Sequence, residues 1–289
     1  MEHLMAVILA AGEGKRMKSK NSKVLHNAAG MTLINWVYRS VKGAGVDETV
    51  IVVGHKAEDV KESMGNDVHY AYQDKQLGTG HAVMQAGDYL KGKEGHVLVL
   101  CGDTPLITSE TISNTFKIHK QNNNSATVIT AELADPAGYG RIVRDSCDNV
   151  LKIVEDRDAS QEEKSIKEIN SGMYCFNIKD LVEALGELGN NNSQGEYYLT
   201  DTLEILIGKG LKVGAVKVDD SNEILGINDR VQLSMAGELL RKRILSNHME
   251  NGVTIIDPNS TYIDCDVQIG IDTVIYPSSI IEKDTIIGE

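Results

Sequence analysis

The chain of 289 residues contains no apolar run that approaches the roughly 20 residues a membrane-spanning helix needs. Its first residues, Met1–Met5, lack the basic stretch and the long apolar run of a secretory signal peptide. We therefore expect neither membrane association nor export, and we predict a cytoplasmic protein.

Cysteine and basic charge are also scarce. The four cysteines show no metal-binding spacing (Cys101, Cys147, Cys175 and Cys265), and reduced thiols in a cytosolic protein are the simplest interpretation. Lys and Arg number 29 against 42 Asp and Glu, so the net charge is -13. The resulting pI near 5.1 argues against nucleic-acid binding.

Several catalytic and nucleotide-binding signatures are missing. No G-x-x-x-x-G-K-[ST] motif occurs, which excludes a P-loop. Met17 stands where the dinucleotide fingerprint G-x-G-x-x-G needs its third glycine, so an NAD site is disfavoured. No Ser/His/Asp or Cys/His set is spaced for covalent catalysis.

The most informative segment lies near the N-terminus. The apolar run Met5–Leu9 predicts a buried strand, and Gly12 and Gly14 follow it. Such a turn lets backbone N–H groups approach a polyanion. Five basic residues without an acidic one come next: Lys15, Arg16, Lys18, Lys20 and Lys23. Their charge suits neutralisation of a triphosphate.

Strand-like and helix-like patterns alternate through the first half of the chain. The predicted strands are Met5–Leu9, Val50–Val53, Val68–Tyr72, His96–Cys101 and Ala126–Ala131, and predicted helices include Leu33–Lys42, His81–Leu90 and Ser109–His119. The alternation predicts an α/β fold, Rossmann-like, with a mostly parallel sheet and right-handed crossovers. Because ligands bind beyond the carboxyl ends of such strands, the turns at Gly12 and Asp103 should face one cleft.

The last part of the chain has a different pattern. Asp229–Asn251 predicts one linker helix. After it, isoleucines recur every six residues, at Ile263, Ile269, Ile275, Ile281 and Ile287. Thr261, Val267, Thr273, Ser279 and Thr285 stand two residues before them. This period predicts hexapeptide repeats of a left-handed parallel β-helix with the isoleucines inward, because ordinary strands alternate with period two.

Individual polar residues suggest a binding site. Asp103, at a predicted strand end, is placed to hold Mg²⁺, although an Asp before Pro105 is also common in turns. Asn228 is equally suited to cap the following helix, a task that Asp229 could take over. The planar amide of Gln73 matches an edge of uracil. Gly78 and Gly80 allow close backbone approach, and Thr79 could cap a helix.

The segment Leu9–Met17 with Lys23–His26 resembles the signature of sugar-1-phosphate nucleotidyltransferases. Along the whole chain, the pattern resembles bacterial bifunctional enzymes that join an N-acetylglucosamine-1-phosphate uridyltransferase to a glucosamine-1-phosphate acetyltransferase. The sequence departs from that family at two points. Ser22 replaces the usual proline, and Cys101 replaces the usual tyrosine.

The resemblance implies a role for each candidate residue. It makes Asp103 and Asn228 the Mg²⁺ ligands, and Arg16 and Lys23 the catalytic cations, with Lys15 assisting Arg16. It places Gln73, Gly78 and Thr79 on uridine, and Gly140, Glu155 and Asn170 on the acetylglucosamine. The remaining implied substrate contacts are Leu9, Ala10, Ala11, Gly12, Lys23 and Asn228. His81 has no evident partner and is interpreted as structural, and Asp201 and Glu204 predict a helix cap within the family motif Gly195–Asp201.

The reaction implied is the transfer of uridylyl from UTP to N-acetylglucosamine-1-phosphate, which gives UDP-N-acetylglucosamine and pyrophosphate for cell-wall precursor synthesis. The implied domains are a uridyltransferase domain (1–228), a linker helix (229–251) and an incomplete β-helix (252–289). The expectation is therefore a truncated chain without acetyltransferase activity, from a full-length form that is a homotrimer.

Two alternatives remain open. The chain could act on a different sugar-1-phosphate or nucleotide, against which Gln73 and the acetylglucosamine contacts argue. It could also be a non-catalytic regulatory subunit of the same fold. Such a subunit is expected to lose the signature cations or the metal-binding Asp, yet Arg16, Lys23 and Asp103 are all present.

Overall fold

The computed structural model describes residues 3–289 and has a mixed β-sheet at its centre. The strands are β1 (Leu4–Ala10), β2 (Asn27–Ala28), β3 (Met31–Thr32), β4 (Glu48–Val53), β5 (His69–Tyr72), β6 (His96–Cys101), β7 (Ala126–Glu132), β8 (Arg141–Arg144), β9 (Val150–Val154), β10 (Glu168–Asn177), β11 (Val213–Lys217), β12 (Thr254–Ile255), β13 (Tyr262–Ile263), β14 (Gln268–Ile269), β15 (Val274–Ile275), β16 (Ile280–Ile281) and β17 (Ile286–Ile287).

Helices cover both faces of this sheet. They are α1 (Leu33–Gly43), α2 (Ala57–Met64), α3 (Thr79–Gln85), α4 (Gly87–Leu90), α5 (Ser109–Gln121), α6 (Gln161–Lys164), α7 (Ile178–Leu185), α8 (Asp201–Gly208) and α9 (Arg230–Glu250), and 3₁₀ turns span Lys15–Met17, Lys23–Leu25 and Ser221–Ile224. Among residues 3–289, no helix is both long and apolar enough to cross a bilayer.

The order of the main strands is β11-β7-β10-β6-β1-β4-β5, with β8 beside β10 and β9 beside β8. Strand β1 is parallel to β4 and β6, β4 to β5, and β7 to β11. The predicted α/β class with a mostly parallel sheet is therefore confirmed. Among the seven main strands, β10 is the exception, because it runs antiparallel to both β6 and β7. The pairs β8–β10 and β8–β9 are antiparallel as well.

The central strand β1 is buried on both faces, which explains its uninterrupted apolar sequence. Met5 and Val7 pack on the side that α3, α4, α7 and α8 cover. Ala6 and Ile8 pack on the side of α1, α2 and α5. The two clusters form a three-layer core, and the carboxyl end of β1 opens at Ala11 and Gly12, where the candidate site begins.

One predicted helix is longer than either of the two helices that the structure shows in its place. The segment His81–Leu90 was expected to be a single helix, but it forms the end of α3 and the separate turn α4. The break lies at Ala86, whose ψ is near 1°, and the amide of Ala86 bonds to Val83 O at 3.0 Å. Gly87 follows directly, and glycine is a poor helix former.

Helix α9 (Arg230–Glu250) lies within one residue, at each end, of the helix that the sequence predicts over Asp229–Asn251. Asp229 caps it by accepting a hydrogen bond from the backbone N of Gln232 at 2.9 Å. Asn228 therefore does not cap α9, although its position in the sequence also allowed that role.

The hexapeptide period becomes a short parallel β-helix. Tyr262 pairs with Ile280 and Gln268 with Ile286, in each case eighteen residues further along, so three six-residue sides make one turn. Ile263 and Ile275 are buried inside, as the period predicted. The corners between sides include Asp266, Asp272, Ser278 and Asp284, all with positive φ, a conformation that Asp tolerates better than most residues.

Candidate active site

Three side chains from distant parts of the sequence meet at the carboxyl end of the sheet. The ammonium group of Lys23 forms an ion pair with Asp103, which follows β6. It also donates to Oδ1 of Asn228 at 3.1 Å. One cation thus lies between a carboxylate and an amide oxygen, and both oxygens point to the same place.

The loop after β1 sets the position of Lys23. Gly14 adopts a left-handed conformation (φ 64°), and a Cβ there would lie 2.6 Å from Cβ of Lys23. Glycine is therefore required both by the backbone angle and by the close approach of the lysine. The amide of Met17 donates to Gly14 O at 2.9 Å and closes the turn that carries Arg16.

The other basic residues of this loop have different surroundings. Arg16 is exposed and lines a cavity of about 280 Å³ together with Asp103 and Asn228. Lys15 forms an ion pair with Glu13 at 2.7 Å, so part of its charge is neutralised. Arg16 forms no ion pair within residues 3–289, and it lines the same cavity as Asp103 and Asn228.

A neighbouring cavity of about 320 Å³ gathers most of the predicted nucleotide contacts. Its lining includes Leu9, Ala10, Ala11, Gly12, Lys23, Gln73, Gly78, Thr79 and Asp103. Asp103 and Cys101 line both cavities. The two cavities therefore adjoin at the end of β6.

The chain segment Glu196–Leu199 holds the loop that follows β5. The amide of Gly80 donates to Tyr197 O at 2.9 Å, and the amide of Leu199 donates to the Thr79 hydroxyl at 3.2 Å. A Cβ at Gly78 would lie 2.5 Å from Tyr197 O, so this contact requires glycine. Thr79 bonds across to this segment instead of capping α3.

The cap predicted at Asp201 and Glu204 is wrong. Thr200 precedes α8, no side chain caps it, and Asp201 is already helical. Burial, with the charges of Glu204 and Asp158, raises the pKa of Asp201 to about 6. The hydroxyl of Thr200 does not cap the helix but donates a hydrogen bond to Oε1 of Glu155 at 3.3 Å. The segment Gly195–Asp201 therefore forms hydrogen bonds with two predicted parts of the site, the loop at Thr79 and the carboxylate of Glu155.

The residues predicted for the sugar side lie near one another on β8–β10. The amide of Asn170 donates to Gly140 O at 2.9 Å. Oδ1 of Asn170 accepts from Tyr174 OH at 3.0 Å and from the amide of Gly172 at 2.9 Å, which leaves the NH₂ group as a donor. Burial raises the pKa of Glu155. The chain neighbours Tyr139 and Ser171 line the cavity that contains Arg16.

Cys101, which replaces a tyrosine of the resembled family, packs beneath the cleft. Its thiol contacts Gly172 O at 3.5 Å. Burial, and secondarily the charge of Asp103, raises the pKa of this thiol to about 12. The thiol is therefore neutral near pH 7, and it offers no nucleophile.

Sequence reasoning missed two supporting residues. His81 contacts the amide of Gln73, with 3.1 Å between Nδ1 and Nε2. Gln232 accepts from the amide of Asn228 at 2.7 Å. The spacing of Gln232, four residues after Asn228 at a helix start, is a signal that could have indicated this contact.

A divalent metal fits the two oxygens around Lys23. Asp103 and Asn228 already hold one cation, the lysine ammonium, and hard divalent cations prefer oxygen ligands. Within residues 3–289, no group of three or more His, Cys, Asp or Glu could hold a metal without a substrate. A site of two protein oxygens suits Mg²⁺, which usually retains waters and binds substrate phosphates.

Fold and site together define a nucleotidyltransferase, with a cationic loop and two side-chain oxygens at the carboxyl ends of the parallel strands of the sheet. The chain belongs to the family of MobA-like NTP transferase domains, whose model matches residues 6–167. A Bacillus anthracis crystal structure assigned as a glucose-1-phosphate thymidylyltransferase, in complex with sucrose, shares the fold. Its TM-score is 0.66 at 22% identity, and the match covers 82% of this chain and 94% of that one.

Two relatives with higher sequence identity to the chain share one name, bifunctional protein GlmU. The chain is 72% identical to the bifunctional protein GlmU of Acetivibrio thermocellus, over 98% of its own length and 61% of the relative. It is 56% identical to the bifunctional protein GlmU of Caldanaerobacter subterraneus, over 100% of its length and 63% of the relative. These matches confirm the resemblance found in the sequence. The chain spans less than two thirds of the length of either relative.

Proposed function

We propose that the chain transfers uridylyl from UTP to N-acetylglucosamine-1-phosphate, releasing pyrophosphate and forming UDP-N-acetylglucosamine. The observation that carries this proposal is the meeting of Lys23, Asp103 and Asn228 at the junction of two cavities. The family match and the relatives named bifunctional protein GlmU support it.

In this proposal each substrate has its own part of the cleft. Gly140, Glu155 and Asn170 line neither cavity themselves, but their chain neighbours Tyr139 and Ser171 line the cavity that contains Arg16. UTP lies in the cavity of Gln73, with uracil against Gln73, Gly78 and Thr79 and the phosphates along Ala10–Gly12. The acetylglucosamine binds Gly140, Glu155 and Asn170. The free NH₂ of Asn170 and the carboxylate of Glu155 offer a donor and an acceptor, which a hexosamine with an acetamido group needs.

Mg²⁺ is the proposed cofactor, and Asp103 and Asn228 are its proposed ligands. When bound, it supplies positive charge to phosphate oxygens and helps to align the two substrates. Because Lys23 contacts the same two oxygens, its ammonium and a bound metal would compete for them.

The protein's own contribution is electrostatic and geometric. A sugar phosphate oxygen, already ionised at neutral pH, attacks the α-phosphorus of UTP, and the bond to the pyrophosphate oxygen breaks in line. Lys23 holds the two phosphates that react, and Arg16 neutralises the leaving pyrophosphate. No proton needs to be removed, so preorganised charge is the main requirement.

We also propose the domain division predicted from the sequence: transferase (1–228), linker helix (229–251) and β-helix (252–289). The bounds of α9 and the first β-helix strand at Thr254 support it. The homotrimer of a full-length form and the lack of acetyl transfer stay predictions.

The test is a pyrophosphate-release assay with four nucleoside triphosphates and several sugar-1-phosphates. The proposal predicts the highest kcat/KM for UTP with N-acetylglucosamine-1-phosphate. A preference for dTTP with glucose-1-phosphate would support the alternative of a different sugar nucleotide. No turnover with any pair would favour a non-catalytic protein.

A further inference from the structure

The side-chain amide of Gln73 is held on one side only. Its Nε2 donates to Gly78 O at 3.2 Å and lies 3.1 Å from Nδ1 of His81. An amide NH₂ has two hydrogens, and these two contacts use both. Oε1 accepts no hydrogen bond from residues 3–289, so it is the one atom of this amide left for a ligand in the cavity.

His81 can accept from Gln73 only in one tautomer. Nδ1 must be unprotonated, and the proton of the neutral ring must then be on Nε2. That second nitrogen lies 3.2 Å from Nε2 of Gln85, which also donates to His81 O at 3.0 Å. The ring therefore stands between two amide donors, and a neutral imidazole can accept from one of them.

The position of the ring is fixed by the segment that holds the loop. His81 is the third residue of α3, directly after Gly80, whose amide bonds to Tyr197 O at 2.9 Å. The ring of Tyr197 lies beside it, with 6.3 Å between the ring centroids. Gln73 itself is buried, so its side-chain amide can change orientation mainly by rotation about the Cγ–Cδ bond.

We propose that His81 is a positioning residue for nucleobase selection: its unprotonated Nδ1 holds the Gln73 amide so that Oε1 faces the base. This inference rests on the proposed function and adds a residue to it. Uracil presents an N–H at its pairing edge, to which Oε1 is complementary. Cytosine presents an unprotonated ring nitrogen there, which Oε1 repels. A rotated amide would present NH₂ and reverse the preference.

The test compares the affinities of UTP and CTP, measured by titration calorimetry without the sugar phosphate. His81→Leu removes one of the two acceptors of the Gln73 NH₂ group and leaves only Gly78 O to orient the amide. The ratio of UTP to CTP affinity should therefore fall about tenfold, as expected for one hydrogen bond. His81→Asn puts a carbonyl oxygen near the position of Nδ1 and should retain the ratio. Gln85→Met touches the other ring nitrogen and serves as the matched control, with an unchanged ratio.

A double-mutant cycle with Gln73→Ala identifies the route of the effect. If His81 acts through Gln73, His81→Leu should cause no further loss of discrimination once Gln73 is alanine. A full additional loss in that background would overturn the proposal, as would an unchanged ratio in His81→Leu. An unchanged ratio in Gln73→Ala would overturn it too, because no amide would then remain to be positioned.

A measurement on the unmutated protein covers the case in which His81→Leu does not fold. The ¹⁵N chemical shifts of the His81 ring should report an unprotonated Nδ1 near pH 7.5, and a protonated Nδ1 would contradict the proposal. Turnover of the unmutated protein with UTP and N-acetylglucosamine-1-phosphate tests the proposed function separately. If the unmutated protein showed no turnover but still discriminated between UTP and CTP, the proposed reaction would be wrong and the proposed role of His81 would be unaffected.

Discussion

Lys23 forms an ion pair with Asp103, 80 positions later in the chain, and its ammonium group also bonds to Asn228. Lys23 follows the glycine loop, Asp103 follows β6, and Asn228 precedes α9, so three separate parts of the fold meet at one cation. The arrangement is already built for positive charge before any substrate enters.

Replacement of Asp103 by asparagine should strongly reduce turnover while the fold remains. The amide keeps the volume of the side chain but removes the negative charge that the ammonium, and the proposed metal, need. We expect kcat to fall about a hundredfold or more, the effect typical for loss of one preorganised electrostatic group. Thermal unfolding and circular dichroism should be recorded with the activity.

Asp266→Asn is the control for this variant, since Asp266 lies on the β-helix, away from the cleft, and forms an ion pair with Arg39 of α1. It should keep normal turnover. Substantial activity in a folded Asp103→Asn protein would sink the assignment of Asp103 to the metal site.

The two cations of the loop should affect different substrates. Arg16→Ala and Lys23→Ala should each raise the barrier by about 3 kcal/mol. Lys23 should matter for both substrates, because it is proposed to hold both reacting phosphates, whereas Arg16 should matter mainly for UTP. Steady-state kinetics with each substrate varied separately will distinguish the two patterns.

Lys20→Ala is the matched control, because Lys20 belongs to the same basic run and is exposed. If Lys20→Ala and Lys23→Ala slowed turnover equally, the cluster would act only as a diffuse positive surface.

Ser22→Pro should stabilise the protein. Ser22 is buried, and its hydroxyl has no partner among residues 3–289. Its φ of −57° lies within the range that the proline ring enforces. Proline would restrict the unfolded chain and remove a buried polar group, so the free energy of unfolding should rise by about 0.5–1 kcal/mol. Chemical denaturation measures it, and a lower midpoint would show that the backbone of this loop does not accept proline.

The buried His119 should make stability depend on pH. Burial, and then the charge of His96, lowers the pKa of His119 to about 4, from an ordinary value near 6.5. Between these values the unfolded chain binds a proton that the folded protein does not, so stability should fall as the pH decreases from 6.5 toward 4. Above pH 6.5 this residue contributes no slope.

His119→Gln removes this titration and serves as the comparison. Its melting temperature should be lower at pH 7.5, because the hydrogen bond to Thr127 changes, but it should fall less steeply between pH 7 and pH 5. Parallel curves for both proteins would show that His119 is not responsible for the acid sensitivity.

Much of the fold could be predicted because its signals are local. The unbroken apolar run of β1 and the six-residue spacing of Ile263 and Ile275 each reflect burial that repeats along the chain. The antiparallel direction of β10 could not be predicted, since strand direction depends on contacts with β6 and β7 that no local pattern encodes.

The residues of the candidate site, too, could be predicted only where the signal is local. The glycine loop and Asp103 were found from motifs at strand ends. His81 was taken as a structural histidine because its partner Gln73 lies eight residues away, across the turn between β5 and α3. Asp201 was taken as a cap because its spacing to Glu204 matches one, whereas the folded helix already includes it. Such roles depend on the tertiary contacts of a side chain.

The central claim, direct uridylyl transfer at the Lys23 site, is tested most directly with UTP labelled at its α-phosphorus. With N-acetylglucosamine-1-phosphate and Mg²⁺, all transferred label should appear in UDP-N-acetylglucosamine, and the unlabelled β- and γ-phosphates should leave together as pyrophosphate. Label in free UMP, or release of orthophosphate in place of pyrophosphate, would contradict the account.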